Sequence, residues 1–382
     1  MFRVAQYLYN RSYWLDESSL AANVARLSPA GFFGPLVMNQ LAPPGFLVAE
    51  WAATRAFGMN PWAMRLAPLL GGVASLVLVL AVARICLTAR ASILALALFA
   101  VADDLIYFAS EAKQYSTDVA LALACSWMGL TVGSRPLTAA RATALAAAGA
   151  AVVWFSHPSI FVLASVGVVG LARTLKARDW RSAGLWMPAG LAWVASFAAV
   201  HVVAMEQLGH RPDMWAFWEF AFPPLPPRSL WDATWALRRV AFLFVSPLNF
   251  DAPFGPRWSM LPAFGLALVG ATQLGKADRS RLALLLLPGA FALLASVPRL
   301  YPFHGRLLLF FTPSLLLLVA AGLDRAFEVF GRGWISRALL TMVLVVPAVT
   351  ATYRLIEPRD RWHANPYGDR RPPSLDPYRF PF

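Results

Sequence analysis

The sequence predicts an all-α bundle that crosses a membrane many times. Three observations carry this. Of 382 residues, 59% are hydrophobic and 14% charged, against about 45–50% and about 25% in soluble domains; mean hydropathy is +0.57. Apolar stretches close to the length of a bilayer crossing recur along the chain. Basic residues collect in alternate connections. Together these exclude a soluble globular enzyme, a disordered chain, a collagen and a disulfide scaffold. Strand alternation is absent, which excludes a β-barrel.

A crossing needs about 20 mostly apolar residues. Ten stretches meet or approach this: 62–83, 92–109, 115–132, 140–156, 158–173, 184–205, 257–273, 282–298, 306–321 and 336–353. Only Ser156-His157-Pro158 separates the fourth from the fifth, so the two read as a tight hairpin. Residues 45–57 are apolar but would reach only about 20 Å as a helix, against a hydrocarbon core of about 30 Å. They also carry Glu50 and Arg55, so an amphipathic helix in the outer interface is expected. Residues 17–27 predict a partner helix, with Asp16 as its N-cap.

Sidedness follows from charge. The connections 84–91, 133–139, 174–183, 274–281 and 322–335, with their helix borders, hold Arg84, Arg90, Arg135, Arg141, Arg173, Lys176, Arg178, Arg181, Lys276, Arg279, Arg281, Arg325, Arg332 and Arg337. The opposing short connections hold Lys113, Arg299 and Arg306. The positive-inside rule makes the first set cytoplasmic. A net charge of +13 then reflects cytoplasmic loops and anionic lipid. No basic run interleaved with aromatics marks a nucleic-acid groove, so no nucleic-acid partner is expected. Cys86 and Cys125 lie in separate apolar segments and predict neither a disulfide nor a metal site.

The chain therefore divides into an outer segment, 1–61, with juxtamembrane helices; a bundle, 62–353, with a long outer loop at 206–256; and a Pro- and Arg-rich outer tail, 354–382, ending Phe380-Pro381-Phe382. Within the loop, 229–245 predicts a helix on the membrane surface. Charges near a bilayer are costly and tend to mark function. They gather on the outer side: Asp16 and Glu17; Asp103, Asp104, Glu111, Lys113 and Asp118 at two helix ends; His157 at the next outer turn; Arg299, His304 and Arg306 at a later one. Charges at helix ends can also simply snorkel into water, which is the preferred reading for Asp103 and Asp104.

Several of these residues sit in recognisable runs. Tyr13-Trp14-Leu15-Asp16-Glu17 resembles the "WLDE" of the first outer loop in GT-C glycosyltransferases of the protein O-mannosyltransferase-like and aminoarabinose transferase-like branches (families 39 and 83). Asn39-Gln40-Leu41-Ala42-Pro43-Pro44-Gly45-Phe46-Leu47 is similar to the proline pair that opens their second juxtamembrane helix. Phe57-Gly58 with Arg65-Leu66-Ala67-Pro68-Leu69-Leu70-Gly71-Gly72 resembles "FG…RL.P.L.G". Residues 107–118, with Ser110, Glu111, Lys113, Gln114, Tyr115, Ser116 and Asp118, resemble the "S.E.KQYS.D" of one bacterial branch. Arg306-Leu307-Leu308, followed by Pro313, resembles a late "R…P" helix start. The likeness covers 13–135 most closely and returns over 299–321. The family places a membrane helix before "WLDE"; residues 4–9 cannot span. With such a helix the count would be eleven and the N-terminus cytoplasmic.

The resemblance implies transfer of a sugar from a polyprenyl phosphate, such as undecaprenyl phosphate, to a hydroxyl acceptor on a lipid, polysaccharide or protein. The site would face the periplasm from the inner membrane. Asp16, with Glu17 beside it, would be the base in an inverting attack. Arg306 would grip the phosphate, helped by Lys113 or Arg299. Glu111, Asp118, Tyr115, His157 and His304 would bind sugar or acceptor. Asp16, Glu111 and Asp118 could form an oxygen site for a divalent metal, but no spacing demands one, and no cofactor is expected. The alternative is a transporter or flippase for lipid-linked sugars, which would place charges near the midplane in repeated halves. An O-antigen ligase or polymerase and a structural membrane subunit are further rivals.

Overall fold

The computed structural model describes residues 1–132, 137–208, 213–250 and 260–357. Arg135, most of the expected outer tail and the first residues of the 257–273 stretch lie outside the described residues.

The outer segment folds first in the chain. Helix α1, Phe2–Leu8, is followed by α2, Leu15–Arg26. Trp14, not Asp16, is the N-cap of α2. Asp16 and Glu17 lie in its first turn, where the helix dipole favours acids. Helix α3, Pro44–Phe57, starts on a proline, which suits a position with no backbone N–H to satisfy. Its buried face carries Phe46, Leu47, Glu50 and Thr54. A one-turn helix, α4, Pro61–Met64, is capped by Asn60, whose side chain accepts from Ala63 N at 3.0 Å. Leu20, Val24, Phe32, Phe46, Leu47, Met64 and Ala112 form a small core of their own.

The bundle begins with α5, Leu66–Cys86. The next stretch is broken: α6, Ala89–Val101, and α7, Asp103–Tyr107, meet at a bend of 62°. Arg3 of α1 is buried there and donates to Phe99 O at 3.1 Å and Ala100 O at 3.5 Å, which satisfies carbonyls freed at the end of α6. Then follow α8, Tyr115–Val132; α9, Ala139–Val152; α10, Ser159–Lys176; and α11, Trp180–Leu208. The outer loop holds α12, Asp213–Phe217, α13, Leu230–Ala233, and α14, Trp235–Phe242. The bundle closes with α15, Leu261–Ala277; α16, Arg279–Ser296; α17, Thr312–Phe330; α18, Trp334–Leu340; and α19, Val346–Tyr353.

Each of the ten expected stretches carries a helix, but they are not equal. Among the described residues, six helices are long and apolar enough to cross a membrane, and the broken α6–α7 pair makes a seventh. Helix α9, with 14 residues, is shorter. The protein is a multi-pass helical membrane protein. The span Gly305–Phe330, which ends in α17, is its axis, with 83% of its apolar window buried, whereas α11 and α18–α19 lie at the rim with 22%. Against α17 packs α15, backbone to backbone: a Cβ on Gly322 would fall 1.9 Å from Leu266 O, and one on Gly270 would fall 1.9 Å from Leu318 O. Small residues allow such close approach between membrane helices.

The two ends of the bundle differ. At one, Arg90 clasps Asp324 and Arg173 pairs with Asp278 at 3.3 Å. At the other, Gln207 Nε2 donates to Phe32 O at 2.8 Å and Gly45 N to Trp154 O at 2.8 Å, tying the outer segment onto α11 and the 153–158 turn. Cys86 and Cys125 are buried and unbonded to one another.

Candidate active site

Around α2 the side chains of Asp16 and Glu17 diverge, as consecutive helical residues must. Glu17 turns into the protein and is fully buried. Its Oε2 accepts from Arg11 Nη1 at 2.6 Å and Arg65 Nη2 at 3.0 Å; its Oε1 accepts from Arg65 Nε at 2.8 Å and Ala112 N at 2.9 Å. Trp14 N also donates to Oε2, at 3.2 Å. Burial pushes this carboxyl up, but Arg11 and Arg65 overcome it and hold it down at about 2. Both arginines brace the turn before α2, Arg65 donating to Arg11 O at 2.8 Å and Arg11 to Ser110 O at 3.2 Å. These bonds make the Glu17 carboxylate a hub that ties α2, the start of α5 and the 110–113 segment together.

Asp16 turns the other way. Arg306 Nη2 donates to its Oδ2 at 2.7 Å, across 290 residues of sequence, and both side chains keep about a fifth of their surface exposed, 21% and 24%. The Arg306 guanidinium also lies 5.4 Å from the centre of the Tyr115 ring. Lys113 is brought in by the same 110–113 segment that Glu17 holds; its Nζ donates to Gln40 Oε1, and its electrostatic neighbours are Asp16, Arg306, Glu111 and Glu50. Burial lowers the Lys113 ammonium below its ordinary range, against the pull of Asp16. Glu111 is fully buried, 3.9 Å from Arg11. Asp118 is buried one turn along α8 from Tyr115 and coupled electrostatically to Tyr301.

The remaining expected residues lie further out. Arg299 forks onto Glu219 at 2.7 and 3.0 Å in an exposed pair. His157 is half-buried at the 153–158 turn; burial, then the charge of His201 on α11, holds it down at about 4. His304 sits between Phe220, edge-on at 4.9 Å, and Phe242, stacked at 5.7 Å. Burial, then Arg239 and Arg306, hold it down at about 4, so it is neutral at physiological pH. Arg239 of α14 contacts His304 Nδ1 at 3.1 Å and donates to Phe220 O. Sequence reasoning missed Arg239, Gln40, Glu50 and Arg11. Arg239 lies in a loop without a motif, and only its amphipathic surroundings hinted at it. Asn249 donates to Asp104 at 2.7 Å, so Asp104 has an inter-loop partner. Among the described residues no three His, Cys, Asp or Glu side chains gather as a group that could hold a metal ion.

No protein-family model and no curated protein matches the chain. Solved structures do match. ArnT from Cupriavidus metallidurans in the apo state superposes with a TM-score of 0.56 at 16% identity, covering 92% of this chain and 73% of its own. The same protein bound to undecaprenyl phosphate gives 0.56 at 18% identity, with the same coverage. The apo oligosaccharyltransferase of Archaeoglobus fulgidus gives 0.52 at 13% identity, covering 93% of this chain and 55% of that one. The chain shares the fold of these structures. In this bundle the Asp16–Arg306 pair joins the first outer segment to the turn Gly305–Phe311 that leads into α17, with the 110–113 segment beside it.

Proposed function

We propose that this protein is a membrane glycosyltransferase that moves a sugar from a polyprenyl phosphate to a hydroxyl acceptor, at the outer face of the inner membrane. The observation that carries the reading is the bond from Arg306 to Asp16: a carboxylate and a guanidinium, from motifs far apart in sequence, meet at an accessible point on a GT-C fold. The solved ArnT bound to undecaprenyl phosphate supports a lipid phosphate as the donor's carrier. The oligosaccharyltransferase tethered to an acceptor peptide supports a separate acceptor.

The chemistry follows from the charges. The acceptor O–H gives its proton to Asp16 as its oxygen attacks the anomeric carbon. The bond from that carbon to the phosphate oxygen breaks, and its electron pair leaves on the phosphate. A single displacement of this kind inverts the anomeric centre. Arg306 can exchange Asp16 for the phosphate, which frees the carboxylate as a base when the donor arrives. Lys113 and Arg239 add positive charge on either side, and neutral His304 orients Arg239. Glu111, Tyr115 and Asp118 line the sugar or acceptor side. A flippase for the same lipids is the second reading; the charge cluster at one end of the bundle favours the transferase, because a carrier binds its load near the midplane.

The test incubates the purified protein with a panel of undecaprenyl-phosphate sugars and a membrane extract, and follows release of the carrier by mass spectrometry. One donor should be consumed. Asp16→Asn should lower the rate by about 10²–10⁴-fold, the span of general-base catalysis, without loss of folding. Equal turnover by Asp16→Asn refutes the assignment of the base.

A further inference from the structure

Helices α13 and α14 carry two apolar faces. One turns into the protein. Trp235 is buried, its ring 6.5 Å from that of Phe303, and Val240 packs against the main core. Arg239 ties this side to the bundle through its contact with His304 Nδ1 at 3.1 Å. The other face turns away. Leu230, Ala233 and Leu237 recur at the i, i+3, i+7 spacing of a helical stripe, and all three are exposed. Leu230 and Leu237 keep 82% and 64% of their surface, and Trp231 beside them 68%. A helix whose outward face meets water carries polar residues there. Here the outward face is leucine and tryptophan, which suits an apolar medium.

Length and charge identify that medium. Residues 230–242 would reach only about 20 Å even as one continuous helix, against a hydrocarbon core of about 30 Å, so they cannot cross it. They belong to the loop that joins α11 to α15, whose own exposed Val202 and Leu261 need lipid cover. Charge is lopsided. Between 228 and 242 stand Arg228, Arg238 and Arg239 against one acid, Asp232, and that carboxylate already accepts from Arg228 N at 2.9 Å. The Arg238 guanidinium lies 3.4 Å from the centre of the Trp231 ring and donates to Trp231 O at 2.5 Å. A guanidinium stacked on an exposed indole puts an apolar plate and a positive charge at one level, as the headgroup region of a bilayer favours. A second copy of this face, packed on a two-fold axis, would instead set arginines against arginines.

We propose that Leu230, Trp231 and Leu237 seat α13–α14 in the membrane leaflet on the Arg306 side of the bundle, with Arg228 and Arg238 on anionic phospholipid headgroups. The partner is a negatively charged lipid surface rather than the sugar donor, so the inference stands apart from the transferase reading.

The experiment places the full chain in nanodiscs of phosphatidylcholine, with or without an equal part of phosphatidylglycerol. A polarity-sensitive fluorophore is attached at Leu237→Cys or, for comparison, at Lys276→Cys on the exposed end of α15. Cys86 and Cys125 are buried and give little background. Iodide quenches from water, and a spin label high on the acyl chain quenches from lipid. With phosphatidylglycerol present, spin-labelled lipid should quench the Leu237 probe at least about threefold more strongly than the Lys276 probe, and iodide should not reach it. Arg228→Gln/Arg238→Gln should lower the ratio of seated to unseated helix by about 10–30-fold, the worth of two basic side chains at an anionic surface. Arg228→Lys/Arg238→Lys should keep the helix seated; loss of seating in the lysine pair would assign the arginines to local folding and overturn their role at headgroups. Iodide access to the Leu237 probe in otherwise wild-type protein places the face in water and overturns the proposal. Shielding from both quenchers means that protein covers the face, and overturns it equally. Seating that ignores both phosphatidylglycerol and the glutamine pair refutes the anionic partner.

Discussion

Asp16 and Glu17 are neighbours in one motif and do opposite work, because a helix turns about 100° between them. One meets Arg306 at an open edge; the other is consumed by two arginines and two backbone amides. Breaking the buried set should be expensive. Glu17→Leu leaves two buried guanidinia without their shared anion and should cost about 3–5 kcal/mol, read as a lower melting temperature in detergent. The pH dependence has a definite sign. Glu17 is held at about 2 against an ordinary 4.5, so its stabilisation is complete above pH 4.5 and drains away as pH falls towards 2. The gap in melting temperature between wild type and Glu17→Leu should therefore narrow on acidification through that window. A gap constant from pH 6 to pH 3 contradicts the hub. For the cations, Arg306→Ala and Arg239→Ala should each weaken undecaprenyl phosphate by about 10–100-fold, the worth of one charge-assisted bond. Arg299→Ala should leave it within about twofold, since an exposed pair contributes little. The opposite ranking would return the phosphate to Arg299.

At the scale of helices, most of the prediction rested on length and apolarity, and these were enough to find an element at each expected place. They were not enough to separate a straight crossing from a broken one. Nothing in Ala89–Val101 followed by Asp103–Tyr107 marks a 62° bend; the bend persists because Arg3, nearly a hundred residues earlier, takes up the freed carbonyls. The α15–α17 contact is similarly silent in sequence, where Gly270 and Gly322 look like any membrane glycines. Because each faces a carbonyl oxygen at 1.9 Å from a would-be Cβ, Gly322→Leu must pry the axial helix from its neighbour. We expect a loss of about 3 kcal/mol, at the upper end for overpacking, seen as a fall in folded yield and melting temperature. Gly184→Leu, where a Cβ meets nothing within 4 Å, is the control and should fold normally.

Across the whole molecule, the division of loops by charge agrees with the two ends of the bundle. Arg90–Asp324 and Arg173–Asp278 lie at one, and Arg306–Asp16, Arg299–Glu219 and Arg239–His304 at the other. This topology makes a direct prediction. Cys86 and Cys125 are buried, so they give little background to a thiol reagent. In intact cells, a membrane-impermeant maleimide should label Arg228→Cys and spare Lys276→Cys until the membrane is opened. Equal labelling of both in intact cells would overturn the assignment of sides.

What the sequence determined alone was what depends on composition and local spacing: a helical membrane bundle, the positions of its apolar elements, the segregation of positive charge and the short motifs that hold Asp16, Lys113 and Arg306. These survive as one-dimensional signals because a bilayer tests each helix almost independently. Tertiary structure decided which charges meet. It joined Asp16 to Arg306, drew Glu17 into a buried hub, sent Arg299 to Glu219, and brought Arg239 against His304. Those outcomes depend on the rotation of each helix and on loops folding back across more than a hundred residues. An ion pair leaves no trace in the local sequence of either partner, since its energy comes from a distance that exists only once the chain has closed.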